Sequence, residues 1–399
     1  MTMASEVALG DIAEFIRGIN FKPDDVVPLG TEGSVGCMRT KNVQDELDCS
    51  DVWAVPKEFV RREEQMLAEG DILVSSANSW NLVGKCSWIP RLEQPSSFGG
   101  FVSVLRAKPD RVEPRFLYRW FSWDRTQALL RSFGQKTTNI SNLNIERCLN
   151  LNLCLPPLPE QRRIAAILDQ AEALRAKRRE ALAQLDELQR AIFMEMFGDP
   201  VTSPKGCVSS TLGDCVEEMQ YGPRFYNEAY SEEGIRIVRI TDLNTAGSLD
   251  FDAMPRMDVD AETQTKFVLS AGDIVFARTG ATVGKVALMR EGDPPCIAGA
   301  YFIRMRFQKH IIPEYAYSVL QSSSVQSLIA GQSRQAAQQN FSGPGLRRLP
   351  MPIPALERQT QFAQRLEAIR NEKIKHLNGL GLVNDLFSSL QHRAFRGEL

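Results

Sequence analysis

Apolar and polar positions follow two rhythms that alternate twice along the chain. Short β-branched runs come first, such as Ile72-Leu73-Val74, Phe101-Val102-Ser103-Val104-Leu105 and, later, Ile235-Arg236-Ile237-Val238-Arg239-Ile240, with Gly, Asn, Asp and Pro between them. These read as strands and turns. Each β-rich stretch closes on a proline cluster, Leu155-Pro156-Pro157-Leu158-Pro159 and Leu349-Pro350-Met351-Pro352-Ile353-Pro354, and a helical pattern follows each cluster. The first helix is predicted from about Glu160 to Phe197, a stretch free of Gly and Pro that ends at Gly198-Asp199-Pro200.

Both helical patterns carry an apolar seam with a heptad spacing. In the first it runs Leu168, Ala171, Arg175, Arg178, Leu182, Leu185, Gln189, Ile192, Met196. A shift of 198 residues gives Leu366, Ile369, Lys373, His376, Leu380, Val383, Phe387, Leu390, Ala394 in the second. Polar breaks fall at the same two central positions, a pattern suited to two helices pairing in fixed register. Packing of each helix on its own β-rich stretch is the competing reading. Gly379 and Gly381 weaken the second helix.

The whole pattern is a tandem repeat. Leu9-Gly10-Asp11 returns as Leu212-Gly213-Asp214, Arg39-Thr40-Lys41-Asn42-Val43 as Arg239-Ile240-Thr241-Asp242-Leu243, and Glu69-Gly70-Asp71-Ile72-Leu73 as Ala271-Gly272-Asp273-Ile274-Val275. Val83-Gly84-Lys85 returns as Val283-Gly284-Lys285, Asn139-Ile140-Ser141 as Asn340-Phe341-Ser342, and Pro157-Leu158-Pro159-Glu160 as Pro354-Ala355-Leu356-Glu357. Every offset lies between 197 and 203, and the order is kept. The predicted fold class is α+β, with β-rich domains at 1–155 and 201–352 and helices at 156–200 and 353–399.

Composition narrows the function. Forty-seven basic against 49 acidic residues give a net charge of -2, so nucleic-acid contact would have to come from local patches. Eight cysteines without a CxxC pair, and three histidines, offer no zinc-ligand spacing. No apolar run approaches the ~18 residues of a membrane span, and the N-terminus shows no secretory signal pattern, which predicts a cytoplasmic protein with reduced thiols.

The alternation of β-rich domain, proline-rich turn and long helix, repeated once, resembles the specificity (S) subunits of type I restriction-modification systems. The likeness spans nearly the whole chain. It rests on Gly70-Asp71-Ile72, on the run from Gly272 to Lys285, and on Gly134, Asn139-Ile140-Ser141 and Pro157-Leu158-Pro159-Glu160-Gln161. The resemblance implies that each β-rich domain is a target-recognition domain reading half of a split double-stranded DNA target, with the antiparallel helices as spacer. It implies two methylation (M) subunits docked on those helices and restriction/translocase (R) subunits in the full complex. S-adenosylmethionine, ATP and Mg would be bound by those partners and not by this chain. A helix of about 38 residues would be roughly 57 Å long, enough to hold two readers along one duplex. Dissimilar readers on a pseudo-twofold frame predict a non-palindromic site.

Candidate DNA contacts lie in loops rich in Arg, Lys, Asn, Gln, Ser and Thr with few acids. In the first half these are Asn78, Ser79 and Trp80, and Gln135, Lys136, Thr137, Thr138 and Asn139. In the second they are Arg278 and Thr279, and Arg334, Gln335, Gln338, Gln339 and Asn340. Arg39, Lys85, Arg239 and Lys285 would hold phosphates. No catalytic set emerges. Asp293-Pro294-Pro295-Cys296 lacks the aromatic residue of the Asp-Pro-Pro-Tyr motif of amino-methyltransferases, and Gly280-Ala281-Thr282-Val283-Gly284-Lys285 has the wrong spacing for a phosphate loop. A self-contained DNA methyltransferase and a coiled-coil scaffold binding only protein are the alternatives to a DNA reader.

Overall fold

The structure, a computed structural model, describes residues 5–136, 140–225, 229–243, 247–333 and 340–399. It divides into two compact units, Met1–Arg179 with Gly379–Leu399, and Glu180–Asn378. Each unit therefore contains one β-rich stretch and a part of each long helix.

In the first unit, β1 (Ala13–Arg17), β4 (Ile72–Ser75), β5 (Cys86–Trp88) and β7 (Val102–Ala107) form an antiparallel sheet in the order β1-β7-β4-β5. A second sheet has the order β3-β2-β6, from β2 (Ser34–Met38), β3 (Trp53–Pro56) and β6 (Ser96–Phe98), with β2 and β6 parallel. Strand alternation between two cores explains why β4 is buried throughout. Ile72 and Val74 face one core with Phe116 and Leu117 of α1 (Pro114–Phe121) and Leu130 of α2 (Asp124–Ser132). Leu73 faces a second core with Met38, Phe98 and Val104. The first core also takes in Ile164, Leu168 and Ala171 of the long helix α3 (Leu158–Phe197), and Phe387 and Phe395 from the C-terminal segment.

The second unit repeats this plan. Strands β8 (Val216–Tyr221), β11 (Ile274–Ala277), β12 (Val286–Leu288) and β14 (Phe302–Phe307) take the order β8-β14-β11-β12. Strands β9 (Ile235–Val238), β10 (Arg256–Met257) and β13 (Cys296–Ala298) take the order β10-β9-β13, again with one parallel pair. Helices α4 (Pro313–Gln321) and α5 (Ser323–Ser333) correspond to α1 and α2. Phe193 and Phe197 of α3 pack with Tyr315 and with Phe362 of the second long helix, α6 (Leu356–Ala394).

The repeated Gly-Asp-Ile landmark is a structural device. Gly70 and Gly272 turn the chain at φ +94° and +89°, a conformation that favours glycine. The aspartate that follows is buried and accepts both arms of an arginine on the neighbouring strand. Asp71 takes Arg106 Nε and Nη2 at 2.7 and 2.6 Å, and Asp273 takes Arg306 Nε and Nη2 at 3.0 and 3.1 Å. Each carboxylate also accepts a backbone N–H three residues upstream, from Ala68 or Ser270. A buried carboxylate persists only with its hydrogen bonds filled, and here they are.

The long helices pair and also cover the β-rich domains, so the two readings of the seam are compatible. All eighteen seam residues are buried or half-buried. In the first unit Arg175 Nε donates to Asn384 Oδ1 at 2.7 Å and the guanidinium lies 4.5 Å from the Phe387 ring centre. In the second, Lys373 Nζ donates to Asp186 Oδ1 at 2.6 Å and to Gln189 Oε1 at 3.1 Å. From the first contact to the second, the partner on α3 advances eleven residues while that on α6 retreats eleven, which is antiparallel pairing in one register. The shift of 198 that relates the seams also carries Arg175 onto Lys373, Asn384 onto Asp186 and Phe387 onto Gln189. Both helix starts are fastened by a buried glutamine. Gln161 accepts from the Glu113 N–H at 2.7 Å and Gln359 from the Ile312 N–H at 2.8 Å.

Gly379 and Gly381 do not interrupt α6. A Cβ on Gly379 would lie 2.8 Å from Arg178 Cζ, whereas one on Gly381 would meet nothing within 4 Å. Gly381→Ala is therefore expected to raise unfolding stability by about 1 kcal/mol through helix propensity. Gly379→Ala should raise it less, or lower it, because the guanidinium must move. Urea denaturation of the two variants checks this, and an equal or larger gain at Gly379 would contradict it.

Candidate nucleic-acid interface

Beyond β4 the chain continues through Ser76 into Ala77–Asn78, which pairs antiparallel with Ser141–Asn142, and that segment pairs with Gln135–Lys136. Candidate segments 57 residues apart in sequence, at 78 and 135, thus belong to one small sheet. On the opposite side of Ser76 and Ala77 lies the β6–β7 turn, where the Phe101 carbonyl accepts both their N–H groups at 3.1 and 3.0 Å.

The second unit builds the same platform. Thr279 forms a bridge with Asn340, the Phe341 N–H donates to the Arg278 carbonyl at 2.8 Å, and the Arg278 N–H donates to the Tyr301 carbonyl at 2.9 Å. The Arg278 side chain donates from Nη2 to Asn340 Oδ1 at 3.1 Å and stacks 4.8 Å from the Tyr221 ring centre. Tyr221 is itself held, its hydroxyl accepting the Gly343 N–H at 2.9 Å. Stacking leaves a guanidinium edge pre-oriented to reach a partner.

The other candidates divide. Asn78 donates to Ser75 Oγ at 3.0 Å, Ser79 donates to Asn81 Oδ1 at 2.7 Å, and Trp80 is half exposed. Lys85 Nζ donates to Gln44 Oε1 at 2.8 Å and sits 3.5 Å from Asp45. Lys285 lines a cleft of about 900 Å³ with Asp186, Glu367 and Lys373, on the side of its unit that faces the helix pair. Arg39 is half-buried and Arg239 more exposed, and both are engaged within their own domain. Arg39 pairs with Asp51 and lies 3.7 Å from the Trp53 ring centre, and Arg239 binds buried Asp242 and the Ala253 carbonyl. Their repeated motif is a turn closed by Asn42 or Asp242 accepting the arginine N–H. Thr137, Thr138, Asn139, Arg334, Gln335, Gln338 and Gln339, and the side chains of Gln135 and Lys136, lie outside the described residues.

Residues 4–184 and 204–380 each match the family described as the type I restriction modification DNA specificity domain. The chain belongs to this family. It is 24% identical to the EcoKI specificity subunit of Escherichia coli K12, over 97% of this chain and 87% of the relative. It is 24% identical to the MjaVIII specificity subunit of Methanocaldococcus jannaschii, over 92% and 85%. Among solved structures it resembles the S subunit from M. genitalium, with TM-score 0.60 and 14% identity over 99% of this chain and 96% of that one. It also resembles a chain of a type I restriction-modification assembly, with TM-score 0.54 and 16% identity over 100% and 99%. The protein is a DNA sequence-specificity subunit, a recognition component without catalysis of its own.

In this specificity subunit the motifs that hint at chemistry have structural places. Asp293 accepts the Arg290 N–H at 2.7 Å in a turn, and Cys296 opens β13, where burial pushes its thiol up to about 12. Gly280–Thr282 is a single tight helical turn. Among the described residues no group of three or more metal-ligating side chains comes together, and no helix is long and apolar enough to cross a membrane.

Sequence reasoning missed Gln359, because its repeat partner Gln161 sits at an offset of 198 while the neighbouring landmark was aligned at 197. It also missed Tyr221, whose strand lies 57 residues before Arg278. Arg278→Ala is expected to weaken target binding by the assembled complex by about 1–3 kcal/mol and to relax sequence preference only at positions read by the second domain. Binding measured on a panel of single-position target variants checks this. Wild-type affinity and preference would remove Arg278 from the interface.

Proposed function

We propose that each β-rich domain reads one half of a split, asymmetric target in double-stranded DNA, and that the paired helices set the distance between the halves. The observation that carries this is one platform built twice with different residues. Ala77 and Asn78 follow the strand in the first domain, where Thr279 and Gly280 follow it in the second, and Ser76 corresponds to Arg278. Arginine suits guanine edges and asparagine suits adenine edges, so one frame with unlike tips recognises unlike sequences.

The helices would also carry the partners. Leu174, Leu188, Leu377, Leu382 and Leu386 are 46–72% exposed on α3 and α6, outside the seam, and give apolar surface for two methylation subunits. Restriction/translocase subunits would join that core. S-adenosylmethionine, ATP and Mg would be bound on those partners, and the complex would work in the cytoplasm. Methylome sequencing of a host carrying this chain with its methylation subunits is expected to show a two-part, non-palindromic motif with an unread gap. A palindromic or uninterrupted motif would contradict the proposal.

A further inference from the structure

Two aromatic rings stand in water at corresponding places of the two domains. Phe101 is 63% exposed and Tyr301 59%, and they are 200 residues apart. Each sits in the turn that enters the central strand, closed by the same hydrogen bond, Val102 N–H to Gly99 carbonyl and Phe302 N–H to Gly299 carbonyl, both 3.0 Å. Their flanking neighbours Val102 and Phe302 are fully buried, so the turn has a buried core side available and still directs these rings outward. A solvated turn normally takes Gly, Asn, Asp or Ser.

Their position says what they face. The Phe101 carbonyl is bonded to Ser76 and Ala77, and the Tyr301 carbonyl to Arg278. The backbone that carries each ring therefore lies one strand spacing, roughly 5 Å, from the strand extension whose other edge carries Ser141–Asn142 or Asn340. Among the described residues, the exposed ring and the polar candidates Asn78 or Arg278 and Asn340 are thus carried on adjoining segments in both domains.

We infer that Phe101 and Tyr301 are the apolar anchors of the DNA interface, one in each domain, packing on the thymine methyl groups and apolar base edges in the groove beside the polar readers. This rests on the DNA-reading proposal and extends it to residues that neither charge nor hydrogen-bonding type would select. Phe101 has no charge and no polar atom, so its contact releases no counterions and draws on desolvation of apolar surface.

The test uses the full chain assembled with its methylation subunits, titrated with target duplex over a range of salt concentrations. Phe101→Ala and Tyr301→Ala are each expected to lower affinity about tenfold, with the slope of log affinity against log salt unchanged. Phe101→Trp should restore most of the binding. Thermal melting of both alanine variants should match wild type, because the rings are not core. Wild-type affinity in both alanine variants would overturn the inference. So would failed assembly with the methylation subunits, since the rings would then serve a protein contact. No preference of the unmodified complex for its target over a scrambled duplex would instead overturn the DNA reading itself.

Discussion

The register of two antiparallel helices is the constraint on which this molecule depends, and polar contacts mark it. Arg175 with Asn384, and Lys373 with Asp186 and Gln189, occupy repeat-equivalent places on a seam that is otherwise mostly apolar. Asp186 is 48% exposed, so its pair with Lys373 contributes at most about 1 kcal/mol. Leucine at Lys373 could pack as well in many registers. A long polar side chain in a seam is satisfied only where its partner stands, so these contacts select one alignment more than they stabilise it. Gly379 belongs to the same arrangement, since it makes room for the Arg178 guanidinium.

From that seam the architecture follows by shared cores. Ile164 and Leu168 close the core of the first domain, and Phe193 and Phe197 at the other end of the same helix close that of the second. Buried Gln161 and Gln359 tie each helix start to its domain, and buried Asp71 and Asp273 lock the central strands. These interactions are nearly identical in the two halves. The platform residues beyond the locked strands are not, which is how a rigid scaffold carries variable recognition.

The repeat, the two helices and the seam were legible because they are periodic, and periodicity needs no knowledge of tertiary contacts. Strand runs were legible where both faces are buried, as at Ile72–Val74. The meaning of the landmarks was not. Asp71 binds an arginine 35 residues away, so Gly-Asp-Ile looks like turn punctuation until the sheet is assembled. Arg39 and Arg239 resemble phosphate binders in sequence, and only the folded domain shows the carboxylates, Asp51 and Asp242, with which they pair. The candidate site was half legible. Polar composition picked out Asn78 and Arg278, but only sheet topology brings Gln135–Lys136 to the first and Tyr221 and Asn340 to the second.

Recognition by two unlike domains on one duplex is most directly tested by hydroxyl-radical footprinting of the complete complex on its target. Two protected patches separated by bases that stay open to cleavage are expected, with different sequences under the two patches. A single unbroken patch, or protection of only one half, would contradict it.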